Sequence, residues 1–350
     1  MQTRKVVIAG CGGITRAWMN AVEHFDDVEI VGLCDRDPGQ IDAFKERWQL
    51  SKRIVGSDLA QVIRRSAADT VFDCTIPEAH PSITLTALEC GCDVLGEKPM
   101  APSLEQAREM VAAAEATGRT YAVIQNRRYN SAIRRFRSAL EHAELGALTS
   151  LDVDFHIGAH FGGFRAEMSH VLLLDMAIHT FDQARFISGA DPVSVYAADW
   201  NPRGSWFRHG ASAVAFFEMS DGLRFTYTGS WCAEGLNTSW EGSWRATCEH
   251  GSVTWDGGAG IHGERDAGGE GLIHNFEPMR VATEHAEDGD PACTGHGGVI
   301  RDFLDALHTG TRPMTDCRDN IKSMAMVLAA VESAETGAKV TIPKEILRCE

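Results

Sequence analysis

Short apolar runs and helix-length segments alternate from residue 5 to residue 124, and no other feature narrows the possible folds as far. The runs fall at 5–9, 29–34, 70–75, 93–96 and 120–124 and are rich in Val, Ile and Leu. The spacing predicts helices over 14–24, 38–48, from Pro77 to 90, and over 103–117, with Ser103 as an N-cap and Gly118 as a stop. Strands separated by helices of this length imply βαβ units and a parallel sheet. The rhythm changes near Gln125. Alternating runs at 150–157, 193–198, 211–219, 223–230 and 243–248 read as longer strands, with Asp221-Gly222 as a hairpin turn. Hairpin connections imply a mostly antiparallel sheet. Helices fit 130–140, 169–188, 296–308 and 316–336, while 256–298, rich in Gly, Asp and Glu, reads as a long surface loop. The expected fold class is α/β: a doubly wound parallel sheet over residues 1–125, then an α/β domain with an open, mostly antiparallel sheet over 126–350.

The totals exclude several classes of function. The 350 residues carry a formal net charge of −16. Nucleic-acid binding rests on neutralising phosphates with Lys and Arg, so no nucleic-acid partner is expected. The longest apolar run, 324–331, is too short to span a bilayer, and no signal peptide fits ahead of a strand that starts by Lys5. Ten cysteines form no C-x-x-C pair and read as reduced thiols packed as small apolar residues. The expectation is a cytoplasmic protein with no metal site.

Three constellations carry chemistry. Gly10-Cys11-Gly12-Gly13-Ile14-Thr15 fills the first two glycine places of the dinucleotide fingerprint, between a predicted strand and a predicted helix. The third place holds Thr15. Asp35 ends the second strand, where a carboxylate accepts hydrogen bonds from the adenosine ribose and repels a 2′-phosphate. NAD is therefore favoured over NADP, although the Arg36 guanidinium could meet that phosphate or stack on adenine. Glu97-Lys98-Pro99 closes the strand at 93–96 and sets a cation at its carboxyl end, where ligands bind in open parallel sheets. Asp175 and His179 stand four apart in a predicted helix and share one face, with Asp182 near the same stripe. No third ligand stands at a diagnostic metal spacing.

Taken in order, these motifs and Asn126-Arg127-Arg128-Tyr129 resemble those of the Gfo/Idh/MocA oxidoreductases over nearly the whole chain. Thr15 departs from the pattern, as does Thr75-Ile76-Pro77, where the family usually has Thr-Pro directly. The resemblance implies an N-terminal Rossmann domain and a C-terminal domain whose open sheet often forms an oligomer interface. It implies a cofactor site that draws on Gly10, Gly12, Gly13, Ile14, Asp35, Arg36, Thr75, Ile76, Pro77, Glu97 and Lys98. It further implies that Lys98 hydrogen-bonds the reacting oxygen, that His179 is the acid/base, and that Asp175 assists at the substrate hydroxyl.

The chemistry suits these roles. Alcohol oxidation removes a hydride from carbon and a proton from oxygen, and the protein must manage the proton. Histidine titrates near neutrality, and an ammonium stabilises a developing alkoxide. Arg128, His156 and His160 are the remaining candidates for substrate contact. Six of the eight tryptophans crowd into 200–255, where they suit sheet packing or an interface better than sugar stacking. The expected activity is NAD-dependent oxidation of a secondary hydroxyl of a sugar, inositol or related polyol by a homo-oligomer, dimer or tetramer. The alternatives are NAD-assisted glycoside cleavage, sugar epimerisation or dehydration, and a non-catalytic nucleotide-sensing regulator.

Overall fold

The computed structural model describes residues 3–281 and 289–347. Six parallel strands organise the first of two units: β1 (Arg4–Ala9), β2 (Val28–Cys34), β3 (Ile54–Gly56), β4 (Thr70–Asp73), β5 (Asp93–Gly96) and β6 (Tyr121–Val123). The connecting helices are α1 (Thr15–Val22), α2 (Pro38–Trp48), α3 (Leu59–Ser66), α4 (His80–Glu89) and α5 (Leu104–Thr117). The strand order β3-β2-β1-β4-β5-β6 is the doubly wound Rossmann order. Every residue of β4 and β5 is buried, as strands covered on both faces require. The caps expected for α5 are present: Ser103 Oγ accepts the Gln106 N–H, and Gly118 takes the left-handed conformation.

The second unit is built on α6 (Ser131–Leu140), β7 (Leu148–His156), α7 (Gly163–Glu167), α8 (Ile178–Ser188) and a run of strands. These are β8 (Pro192–Trp200), β9 (Ser212–Met219), β10 (Arg224–Ser230), β11 (Ser243–Cys248), β12 (Gly251–Trp255), β13 (Ile261–Gly268) and β14 (Asn275–Pro278). Towards the end of the chain come α9 (Gly295–Thr309), α10 (Cys317–Thr336), β15 (Val340–Thr341) and α11 (Lys344–Leu347). The sheet order is β14-β13-β12-β11-β7-β10-β9-β8-β15. β7 and β10 pair in parallel, and the other neighbours are antiparallel. Asp221 and Gly222 both have positive φ in the β9–β10 turn, as that hairpin demands.

The inner face of this sheet is an aromatic ladder. Phe217, Phe225, Trp244 and Trp255 stack in sequence at 5.6, 6.3 and 6.5 Å between centroids. Phe136 of α6 packs on Trp255, and Phe181 of α8 meets Phe217 edge-on. Three of the six clustered tryptophans, Trp231, Trp244 and Trp255, are buried. The packing role expected of this segment holds for those three.

Three expectations need correction. A single cut at 125/126 is replaced by a division in which residues 289–321 rejoin the first unit. The cause is packing: Val299, Ile300, Phe303 and Leu304 of α9 enter the core that holds Trp18, Phe72 and Leu95, and the Tyr129 hydroxyl donates to Asp302 at 2.6 Å. The expected loop at 256–298 contains β13, β14 and the start of α9. β14 is exposed at every position, so it carries no apolar alternation to read. The regular helix expected from residue 169 begins instead with a π-helical turn, Leu172–Ala177, before α8. Among the described residues, no helix is long and apolar enough to cross a membrane.

Candidate functional site

Within the first unit, the predicted nucleotide residues gather at the carboxyl ends of β1, β2, β4 and β5. Gly10 has φ +84°, and a Cβ there would meet the Cys74 carbonyl oxygen at 2.7 Å. A Cβ on Gly12 or Gly13 would meet nothing within 4 Å, which leaves open space over the turn at the start of α1. That space and the free end of the helix suit a pyrophosphate. The missing third glycine is answered by Thr15, which is buried and donates its hydroxyl to the Gly12 carbonyl. Asp35 is drawn to the same turn: its Oδ2 accepts the Cys11 N–H at 2.7 Å and its Oδ1 the Asp37 N–H at 2.9 Å. A carboxylate has lone pairs to spare beyond these two bonds. Arg36 is exposed beside it, and Ile14 and Ile76 are exposed at the mouths of their loops.

The loops after β4 and β5 are tied from beneath. Asp73, fully buried, accepts the Thr75 N–H at 3.0 Å and the Thr75 hydroxyl at 2.5 Å. Burial pushes the Asp73 carboxyl above its ordinary range, against the pull of His80 and of the Thr75 bonds. Pro77 continues this loop, half-buried. Glu97 is buried too. Its Oε1 accepts the Trp18 indole N–H at 2.7 Å and its Oε2 the Lys98 backbone N–H at 3.1 Å. One carboxylate thus joins α1 to the segment that carries Lys98. The Cys11 thiol in the glycine turn is pushed up to about 12 by burial, so it is a packing group rather than a nucleophile.

In the second unit, Asp175 lies on the π-helical turn and His179 is the second residue of α8. Both are half-buried. Such turns often stand at functional sites. Asp175 is gripped by Arg165 of α7, with Nε–Oδ2 at 2.5 Å and Nη2–Oδ1 at 3.4 Å. The guanidinium also lies over the rings of Phe164 and Phe161, at 4.6 and 5.3 Å. Asp182 does not share an open stripe with Asp175. It is buried and accepts the Ser323 hydroxyl at 2.6 Å, and Arg185 donates to that same hydroxyl oxygen at 2.9 Å.

Of the substrate candidates, His156 ends β7 half-buried, with its N–H on the Thr238 hydroxyl. His160 is exposed, stacked on Trp206 at 3.6 Å and paired with Glu234 at 3.1 Å. Arg128 is buried, forms an ion pair with Asp319 at 2.7 Å and donates to the Met314 carbonyl. These bonds hold α10's start and the 3₁₀ turn Asn126–Tyr129 together. No group of residues that could hold a metal ion occurs among the described residues.

Sequence reasoning passed over Trp18, His80 and His296. His296, half-buried on α9, meets the edge of Trp18, and its Nδ1 lies 3.2 Å from the Asn126 amide nitrogen. Burial holds its pKa below the ordinary value, against the pull of Glu97. Trp18 and His296 pair with residues 79 and 170 positions away, and no local spacing encodes that.

Comparison with known proteins agrees with this architecture. Residues 4–125 match the family model described as "Oxidoreductase family, NAD-binding Rossmann fold", and residues 133–254 match the "GFO/IDH/MocA C-terminal domain". An uncharacterized protein of Sinorhizobium fredii is 26% identical, covering 97% of this chain and 96% of its own length. A D-apiose dehydrogenase of Paraburkholderia graminis is 28% identical, covering 97% and 89%. The crystal structure of an oxidoreductase from Agrobacterium radiobacter, in complex with NAD+, L-tartaric acid and magnesium, superimposes with a TM-score of 0.83 at 22% identity, covering 97% and 99%. The glycine turn, the Glu97-Lys98-Pro99 loop and both domain matches place this chain in the Gfo/Idh/MocA family of NAD-binding oxidoreductases.

Proposed function

We propose that the protein oxidises a secondary hydroxyl of a sugar, inositol or related polyol with NAD as the hydride acceptor. Lys98 carries this reading: it stands at the carboxyl end of β5, on a loop whose backbone is fixed by the buried Glu97. Bound NAD supplies the hydride acceptor and nothing for the proton. Lys98 stabilises negative charge as it develops on the substrate oxygen. His179 accepts the proton, and Asp175, oriented by the Arg165 fork, takes a hydrogen bond from the substrate hydroxyl. Preference for NAD over NADP rests on Asp35, whose carboxylate opposes a 2′-phosphate. The related D-apiose dehydrogenase supports a sugar substrate.

The test is a panel of inositols, aldoses and sugar acids with NAD and with NADP, followed at 340 nm, and then Lys98→Ala on the best substrate. The variant is expected to lose roughly 10²–10³ in kcat, the cost of one such donor. Activity within threefold of the parent would remove Lys98 from the chemistry.

The outer sheet face supports the homo-oligomer. Tyr196 and Phe216 lie opposite each other on β8 and β9, 52% and 43% exposed. A monomer in analytical ultracentrifugation at micromolar concentration would refute this part.

A further inference from the structure

His80 begins α4 and is 1% exposed. Its Nδ1 lies 2.9 Å from the Pro99 carbonyl oxygen and its Nε2 lies 3.2 Å from the Thr75 carbonyl oxygen. The two carbonyls belong to different loops, one after β4 and one after β5. Those strands are neighbours, with Asp73 opposite Gly96. The imidazole is therefore a strut between the two loops on which the cofactor and Lys98 assignments stand. A carbonyl can only accept. A neutral ring can donate to one of the two, and the doubly protonated ring can donate to both. Asp73, buried beside it, holds the Thr75 N–H and hydroxyl from the other side.

We propose that His80 is a positioning residue that sets the spacing between the 75–77 and 97–99 loops, and so orders the nicotinamide half of the cofactor and the backbone that carries Lys98. This rests on the reading that those loops form the nicotinamide side of the site. A ring that only filled space would hold the whole Rossmann unit equally, and its loss would weaken both halves of the dinucleotide site together. A strut between these two loops acts on one half. The adenosine half is held elsewhere, by the glycine turn and Asp35.

The experiment needs no substrate. NADH and ADP-ribose are titrated into the full-length protein and into His80→Ala, and the fluorescence of the bound reduced nicotinamide is recorded. The variant is expected to bind ADP-ribose within twofold of the parent. It is expected to bind NADH about tenfold more weakly, the scale of one lost hydrogen bond, and to lose the fluorescence gain of a held nicotinamide ring. Unchanged NADH affinity and fluorescence overturn the proposal. So does an equal weakening of both ligands with a lowered Tm, which marks a general structural role. If the parent protein binds neither ligand, the cofactor reading itself has failed, and the proposal falls with it. Should His80→Ala not fold, His80→Gln, which keeps donors on a single nitrogen, is scored on the same two ligands by the same criteria.

Discussion

In the first unit the candidate residues stand at strand ends and are held by buried polar bonds. In the second, Asp175 and His179 stand on a helical segment, and a half-buried ion pair with Arg165 holds Asp175 beside a sheet packed with aromatic rings. Tryptophan shows the difference best. Trp18 matters through its N–H, which meets the Glu97 carboxylate at 2.7 Å. Trp244 matters through its faces, stacked between Phe225 and Trp255. The first unit uses Trp18 to fix a buried charge just after β5. The other packs its large side chains into a stiff platform under its sheet. The positions of groups in the first unit should therefore depend on single hydrogen bonds, and those in the second on bulk packing.

The largest expected effect tests the packing side. Trp244→Ala removes a side chain that is 1% exposed from the middle of the ladder, and should cost about 3–5 kcal/mol of stability. Chemical denaturation followed by circular dichroism measures it, with the unfolding of the second unit read as its own transition. A loss under about 1 kcal/mol, within the range of volume-tolerant repacking, would mean that the ladder is not what stiffens this sheet.

The polar side predicts a smaller loss from a gentler change. Trp18→Phe keeps most of the ring and removes one donor from a buried carboxylate. A hydrogen bond to a charged group is worth about 1.5–3 kcal/mol. The same variant should loosen the Lys98 loop, because Glu97 bridges both. Denaturation of Trp18→Phe that matches the parent within 0.5 kcal/mol, beyond the usual scatter of surface changes, would erase the contrast between the units.

The same contrast explains what was legible. Helix and strand positions in the first unit follow from caps, glycines and apolar runs that are local in sequence. The strand at 93–96, the helix at 38–48 and the capped α5 all stand where the spacing puts them. The glycine turn and Glu97-Lys98-Pro99 announce themselves because their chemistry needs fixed neighbours. Arg128 was readable as a cation near a strand end. Its partner Asp319 is 191 positions away, and no local pattern reveals that the charge is already paired. Trp18 escaped for the same reason, its partner Glu97 standing 79 positions away. In the second unit, the alternation of β9 and β10 was plain because one face is buried. β13 and β14 extend the sheet into solvent, so the period-two signal vanishes just where the sheet continues. The π-helical turn under Asp175 has no spacing signature that separates it from an α-helix.

The smallest expected effect concerns pH and again sits in the polar unit. His296 is half-buried against Trp18 with its Nδ1 facing the Asn126 amide, an arrangement that suits a neutral ring accepting a hydrogen bond. Burial lowers its folded pKa below the ordinary 6.5, and the nearby Glu97 carboxylate opposes that shift without cancelling it. Above pH 6.5 the ring is neutral in both folded and unfolded chains, so it imposes no penalty. As pH falls through 6.5 the unfolded chain takes up a proton that the folded chain refuses, and stability is lost until pH reaches the lowered folded value. The drop in Tm between pH 7.5 and pH 5.5 should therefore shrink in His296→Gln, which cannot titrate. Other groups contribute to the parent's slope, so the difference between the two proteins is the measured quantity. Equal slopes would mean that the folded ring accepts its proton as readily as the unfolded one, and that the polar network around Glu97 is wetter than its burial indicates.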